Sequence, residues 1–336
     1  MIGCHSADHI ISHPLKPDYT VLDRHIKALG LNAANQEPLA NHGTWHIGGP
    51  ADRLVQPNCS EQIQQLIACA HDREIPWIVI GKGSNLLFCD AGIRGLVIKL
   101  GPAFSHISIE NGRIQAQSGI SVPRLAHQTA CLGLTGLEHT VGIPCTLGGL
   151  VTLNGGSLQQ SISRLIRRVT WVDAQAQVHQ WSARDCHFSY RHSFFLFNRA
   201  VITDVSLECQ PGNPRHIRRA MLATLRTRRE RFPLRWPNCG SVFKRHPELF
   251  TQWGPPGKII EDLGLKGYSM GNAMISPQHA NFFLNRGRAT AGDILHLIHT
   301  VRQRVHQSTG HWMECEVIHV DPAGTMQPAH EVLLSD

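Results

Sequence analysis

The sequence predicts an α+β protein built from two units, and three observations predict it. Short apolar runs with strand character recur from Trp77 to Leu207, glycine concentrates in two zones between them, and after Pro211-Gly212-Asn213-Pro214 the pattern turns to helical spacing. The chain has 336 residues, 42% hydrophobic and 17% charged, enough for two or three compact domains. Residues 1–20 read as a loose leader without the uninterrupted apolar stretch of a secretory signal. No later window approaches the roughly 18 apolar residues of a membrane span, so the expected location is the cytosol.

The elements follow in chain order. From Ser60, suited to an N-cap, Ile63, Leu66, Ile67 and Ala70 share one helical face. Pro76 then leads into the strand-like run Trp77 to Ile80, which ends in Gly81-Lys82-Gly83-Ser84-Asn85. A second strand spans Leu96 to Leu100. Ile107 and Ile109 alternate up to Asn111-Gly112, a type I′ turn pair, and Ile114 and Ala116 alternate away from it, which predicts a hairpin. Gly133 to Gly156 is too glycine-rich for a helix interior and suggests backbone held close to a ligand. Strands resume at Val169–Val172 and Ala200–Leu207. The Pro211–Pro214 linker marks the main domain boundary, followed by a helix with Ile217, Met221 and Leu225 inward. Near the end, Thr290 and Asp293 form a capping box ahead of Ile294, Leu297, Ile298, Val301 and Val305 at helical spacing.

Several segments could carry chemistry. The small residues of Gly81–Asn85 let successive backbone amides face a phosphate, but Leu86 breaks the GxGxxG fingerprint and a strand follows, which disfavours an ordinary Rossmann site. A tight structural turn explains the segment equally well. Arg191 ends the aromatic, strand-like Phe188-Ser189-Tyr190 and could clamp a carboxylate or form a surface ion pair. Ser241 sits on a loop entering a strand, outside any GxSxG elbow. Glu314 and Glu316 fall on one side if their segment is a strand. His296 and His299 lie one helical turn apart with no acidic or thiol ligand beside them, so no metal site is expected. The ten cysteines stand singly and read as reduced, mostly buried thiols. A net charge of +7 suits an anionic ligand, and no basic run marks a nucleic-acid arm.

Taken together, HGTWHIGGPADRLV at 42–55, IPWIVIGKGSNLL at 75–87, GIRGLVIKL at 92–100, GLTGLEHTVGIPCTLGG at 133–149, FSYRHSFF at 188–195, NCGSVFK at 238–244, PGKIIEDLGLKGYSMGNAMISPQHANFFLN at 256–285 and MECEV at 313–317 resemble the UDP-N-acetylenolpyruvoylglucosamine reductase family. The resemblance runs from Pro38 to Val320. The roughly fifty residues between Arg191 and Ser241 resemble its shorter subfamily, which lacks an extra substrate-loop insertion.

This resemblance implies an α+β fold: an FAD-binding unit of the vanillyl-alcohol-oxidase/PCMH type over 21–212, in two subdomains split near 75, then a smaller α+β substrate domain over 213–336. It implies non-covalent FAD, NADPH as reductant, and reduction of a UDP-sugar enolpyruvyl ether to UDP-N-acetylmuramate for peptidoglycan. Gly48, Gly49, Gly81, Lys82, Gly83, Ser84, Asn85, Gly142, Ile143, Thr146, Gly148 and Gly149 would line the dinucleotide. Arg191 and Glu316 would stabilise the enolate formed on hydride arrival, and Ser241 would protonate its carbon. Arg228, Arg231 and Lys244 stand where relatives place basic residues near the nucleotide-sugar phosphates. No nucleic acid, membrane insertion or obligate protein partner is implied.

The chain departs from the family pattern at Cys145, where glycine is expected, at GGSLQQ (155–160) in place of an AGAYGG-like run, at Asn272 within Gly-Gly-Ala, and at Arg245-His246 in place of Asn-Pro. These positions bear on flavin packing and substrate contact. The alternatives are a flavin oxidase of the same fold, often linked covalently to FAD through a histidine, and a flavin-binding relative without activity. No histidine lies within Gly81–Asn85, and Arg191, Ser241 and Glu316 are all retained.

Overall fold

The computed structural model describes residues 18–333. Most of the leader expected over 1–20 therefore lies outside the described residues, but from Tyr19 the chain is anchored, the Tyr19 hydroxyl donating to Asp52 at 2.8 Å. α1 (Thr20–Ala28) opens the first lobe. It has no counterpart among the expected elements, because only Leu22 and Ile26 are buried in it. β1 (Ala34–Pro38), β2 (Pro50–Val55), α2 (Ser60–Asp72), β3 (Trp77–Ile80), β4 (Leu86–Phe88) and β5 (Ile93–Lys99) follow. Cys59, rather than Ser60, occupies the cap position of α2.

The first sheet has the order β1-β2-β5-β3, with β5 parallel to both β2 and β3. This corrects the subdomain split expected near 75. The Trp77–Ile80 run pairs with Leu96–Lys99 in the same sheet as β1 and β2, and a new sheet starts only at Ile107. β5 also begins earlier than expected, running through Gly95, where a Cβ would lie 2.1 Å from the Pro76 carbonyl oxygen. One interior apolar cluster joins Leu22 and Ile26 of α1, Ile63, Leu66 and Ile67 of α2, and Trp77, Leu96 and Ile98 of the sheet.

The second lobe comprises β6 (Ile107–Glu110), β7 (Arg113–Gln117), α3 (Val122–Cys131), β8 (Leu134–Thr135), α4 (Leu147–Thr152), β9 (Ile166–Val172), β10 (Val178–Ser182), β11 (Val201–Glu208), β12 (Gln210–Pro211) and α5 (Pro214–Arg231). Its antiparallel sheet has the order β10-β9-β11-β7-β6. Asn111 and Gly112, at φ 49° and 80°, make the expected type I′ turn between β6 and β7. α4 overturns the non-helical reading of the second glycine zone. Leu147, Leu150 and Val151 bury one face of that short helix, so tertiary packing outweighs the poor propensity of Gly148 and Gly149. α5 also corrects the expected boundary. Ile217 and Met221 pack with Leu134 and Leu137 of this lobe, so the change of core follows α5 and not the Pro211–Pro214 linker.

The last unit contains α6 (Pro247–Trp253), α7 (Pro256–Asp262), β13 (Ser269–Met270), β14 (Ala273–Ile275), β15 (Phe283–Asn285), α8 (Ala291–Thr309), β16 (Ile318–Val320) and β17 (Met326–Pro328). The capping box of Thr290 and Asp293 starts α8 as expected, and its periodic residues are buried. First-lobe groups enter this unit directly. Asp90 accepts from the amides of Ala291 and Gly292 at 2.8 and 3.2 Å, β4 pairs in parallel with β16, and Trp45 Nε1 donates to the Phe283 carbonyl at 2.8 Å.

Asp52 holds the N-terminal segment to the first sheet. Its buried carboxylate accepts from Tyr19, from Gln36 Nε2 at 2.9 Å and lies 2.8 Å from Arg94 Nη1. Asp52→Ala leaves these donors without their acceptor and is expected to destabilise the protein by about 2–3 kcal/mol. A shift of the urea midpoint to lower denaturant, smaller for Asp52→Asn, checks this.

Candidate active site

A cavity of about 900 Å³ opens where the two lobes and the last unit meet. Its walls include Gly81, Lys82, Gly83, Ser84 and Asn85 after β3, then Gly142, Ile143, Thr146, Gly148 and Gly149 from the second glycine zone, and Arg191, Ser241 and Glu316. The glycines are sterically required. A Cβ on Gly81 would lie 2.2 Å from Thr146 Oγ1, and one on Gly83, at φ 59°, would lie 2.5 Å from the His42 carbonyl oxygen. The two zones thus touch, and what they present to the cavity is largely backbone.

Gly48 and Gly49 do not line it. A Cβ on Gly48 would lie 2.6 Å from Phe88 Cβ, and one on Gly49 2.1 Å from the Asp90 carbonyl oxygen. Their lack of side chains lets two segments of the first lobe cross, away from the cavity wall on which they were expected.

Arg191 sits on a tight turn closed between Ser189 and His192, not on the strand expected there, with φ at 53°. A left-handed conformation costs a non-glycine residue on the order of 1 kcal/mol, so the surrounding contacts must hold it. Its Nε lies 2.9 Å from Glu316 Oε1, an ion pair without the alignment of a hydrogen bond, while Nη2 donates to the Gly156 carbonyl at 3.4 Å.

Glu316 precedes β16 and is pinned through its backbone. Its N–H donates to the Val242 carbonyl at 2.8 Å, and its own carbonyl accepts from Asn85 Nδ2 at 2.8 Å. Burial pushes its carboxyl pKa above the ordinary carboxylate value, against the opposing pull of Arg191. The segment of Glu314 and Glu316 is not a strand but makes an isolated bridge between Cys315 and Phe243, the same bridge that replaces the strand expected after Ser241. Only Glu316 reaches the cavity. Glu314 is 58% exposed and 3.7 Å from Lys244.

Ser241 follows Gly240, at φ 85°, whose N–H donates to Asn238 Oδ1 at 2.9 Å. On its other side, Asn281 clamps the backbone of Val242 and Phe243. The hydroxyl is therefore carried by a rigid loop, one residue from the carbonyl that binds the Glu316 amide. Thiols complete this wall. Cys145 and Cys239 are buried, and burial pushes Cys145 up to about 12 and Cys239 well above the usual thiol value, so both stay neutral.

Of the three basic residues expected near phosphates, the structure brings only Arg228 to the cavity; Arg231 is exposed and Lys244 faces Glu314. Arg228 stacks 4.9 Å above the Phe232 ring, and a Cβ on Gly142 would meet its Cδ at 2.4 Å. Its Nε is buried without a partner, and burial lowers its pKa. The sequence reading missed Leu234 and Trp236, large exposed side chains on the cavity rim. Their signal was the apolar Phe-Pro-Leu-Arg-Trp-Pro segment, whose turn Asn238 fixes by donating to the Trp236 carbonyl at 2.7 Å.

Backbone turns too tight for side chains, beside an unpaired guanidinium, fit a pyrophosphate. Residues 51–182 match a family model described as an FAD binding domain, and the protein is an FAD-dependent oxidoreductase. Residues 232–320 match the UDP-N-acetylenolpyruvoylglucosamine reductase C-terminal domain. The chain belongs to the UDP-N-acetylenolpyruvoylglucosamine reductase family. It is 42% identical over 299 residues to UDP-N-acetylenolpyruvoylglucosamine reductase 1 of Corynebacterium glutamicum, covering 89% of each chain. With the enzyme of Heliobacterium modesticaldum it shares 39% identity over 289 residues, 86% of this chain and 91% of that one. The crystal structure of the Thermus caldophilus reductase superimposes with a TM-score of 0.70 at 28% identity, over 86% of this chain and 98% of the other. No helix among the described residues is long and apolar enough to cross a membrane.

Gly81→Ala tests the backbone cradle. The new methyl group would collide with Thr146 Oγ1 and widen the contact between the glycine zones, so the variant is expected to fold but retain less FAD through purification. Gly101→Ala, where a Cβ would meet nothing within 4 Å, serves as the control and should keep its flavin. Flavin absorbance per protein checks both.

Proposed function

We propose that the protein reduces UDP-N-acetyl-3-O-(1-carboxyvinyl)-glucosamine to UDP-N-acetylmuramate with NADPH, in the cytosol, as a step of peptidoglycan precursor synthesis. The observation that carries this reading is the half-buried Arg191–Glu316 pair, sharing one cavity with Ser241 and the glycine turns. When bound, FAD supplies hydride chemistry, passing reducing equivalents from NADPH to the enolpyruvyl double bond. Gly81, Lys82, Gly83, Ser84, Gly142, Ile143, Thr146, Gly148 and Gly149 would hold it. Arg228, wedged against Gly142, is better placed for its pyrophosphate than for the UDP phosphates.

The chain's own residues manage charge and protons. Arg191 holds the substrate carboxylate in its planar fork and stabilises the enolate that grows there when the terminal carbon accepts hydride. Glu316, whose burial favours its neutral form, can meet that carboxylate as an acid instead of repelling it. Ser241 Oγ donates a proton to the carbon beside the carboxylate and recovers one from solvent. A hydroxyl does this without adding a standing charge.

Ser241→Ala separates the two half reactions. FAD binding and flavin reduction by NADPH should stay near normal, while flavin oxidation by the enolpyruvyl substrate should slow by roughly two to four orders of magnitude, the range for losing a positioned general acid. Anaerobic stopped-flow measures both steps, and equal slowing of the two would remove Ser241 from the chemistry.

The raised pKa of Glu316 also fixes the direction of a pH effect. Relative to the unfolded chain, its protonated form adds stability that is fully present below the ordinary carboxylate value and is lost as pH rises through the raised one. The substrate-consuming half reaction, which uses that form, should therefore decline with rising pH along a limb above the usual carboxylate range. In Glu316→Gln that limb should be absent from the pH profile.

A further inference from the structure

We infer that Asn85 is a positioning residue for Glu316, so that the turn lining the flavin channel also sets the acid of the reaction. Asn85 grips the Glu316 segment at two points: its Nδ2 donates to the Glu316 carbonyl at 2.8 Å, and its own carbonyl accepts the Ile318 N–H at 3.1 Å. Only Val317 lies between them. The third backbone anchor of Glu316, its N–H to the Val242 carbonyl, comes from the Ser241 loop. Rotation of the Glu316 peptide, which would swing its carboxyl away from Arg191, is opposed at its own carbonyl by the Asn85 side chain.

The side-chain amide is specifically suited to this. A serine at this position would be too short to span to the carbonyl, and an aspartate would set a negative oxygen against it. One N–H of the Asn85 amide is committed to the Glu316 backbone, and through that bond the side chain acts on where the Glu316 carboxyl stands.

The inference rests on the proposed role of Glu316, and a double-variant cycle on the FAD-loaded enzyme distinguishes the two. In protein saturated with FAD, Asn85→Ala, and Asn85→Asp as its isosteric counterpart, should slow the NADPH half reaction less than the half reaction with the enolpyruvyl substrate. The half reaction with the enolpyruvyl substrate should slow by roughly 10- to 100-fold, the usual effect of losing a partner that orients a functional group. Its basic pH limb should shift as Glu316 loses its fixed geometry. In a Glu316→Gln background, Asn85→Ala should add less than about twofold, because residues acting as a unit are not additive. Independent, multiplying losses would overturn the inference, as would loss of flavin from both Asn85 variants, which would make Asn85 a cofactor ligand. A Glu316→Gln enzyme of full speed would instead remove the role of Glu316 itself, and the inference with it.

Discussion

The parallel pairing of Leu86–Phe88 with Ile318–Val320 is the contact on which the active site depends. Parallel strands enter a sheet from the same end, so the residues just before each are neighbours in space. Before one strand stands the Gly81–Asn85 turn, and before the other stands Glu316. Residues more than two hundred positions apart therefore meet without a dedicated loop, and the Asn85–Glu316 hydrogen bond continues that pairing into the cavity. Other contacts stop the units from rocking about so short a ladder. Asp90 caps the final helix across the junction, and Asn285 Nδ2 donates to the Trp45 carbonyl at 2.9 Å.

What was legible in the sequence depended on how local the cause was. The Thr290–Asp293 capping box and the Asn111-Gly112 turn are set by residues three or fewer apart, and both elements formed where expected. Sheet membership is not local. Nothing near residue 75 reveals that Trp77–Ile80 will lie beside Leu96–Lys99 in the sheet already started by Ala34–Val55. Pro211–Pro214 marks a turn correctly, but a turn does not say which core the next helix will cover, and Ile217 and Met221 turn back to the lobe they came from. Glycine was ambiguous for a similar reason. Gly48 and Gly81 are both required by a close approach, to Phe88 in one case and Thr146 in the other, and only the fold shows that one of them borders a cavity.

The site was legible mainly as a resemblance spread over eight segments. Arg191, Ser241 and Glu316 are individually ordinary: an arginine after aromatics, a serine in a loop and one glutamate of two. Their conjunction comes from long-range contacts, and so does the contrast between half-buried Glu316 and exposed Glu314, which alternation along a strand could not supply. Arg228 shows the limit again. Helical position places it among several arginines of α5, and only packing against Gly142 and Phe232 distinguishes it from exposed Arg231.

The charges in the cavity also form a balanced sequence under the proposed reaction. A half-buried arginine without a counter-ion is costly, and Glu316 supplies that counter-ion while Arg191 awaits substrate. A carboxylate substrate would compete for the same guanidinium and, with Glu316 still ionised, would leave two anions against Arg191. Protonation of Glu316 removes the excess, and burial has already moved its pKa in the direction that makes this easier. The exchange then runs from one neutral pair, Arg191 with Glu316, to another, Arg191 with the substrate, and the displaced carboxyl becomes a hydrogen-bond donor facing the carbon acid being made. The negative charge that arrives with hydride then meets an Arg191 guanidinium fully available to it, and low-dielectric surroundings make that cation more effective than it would be in water.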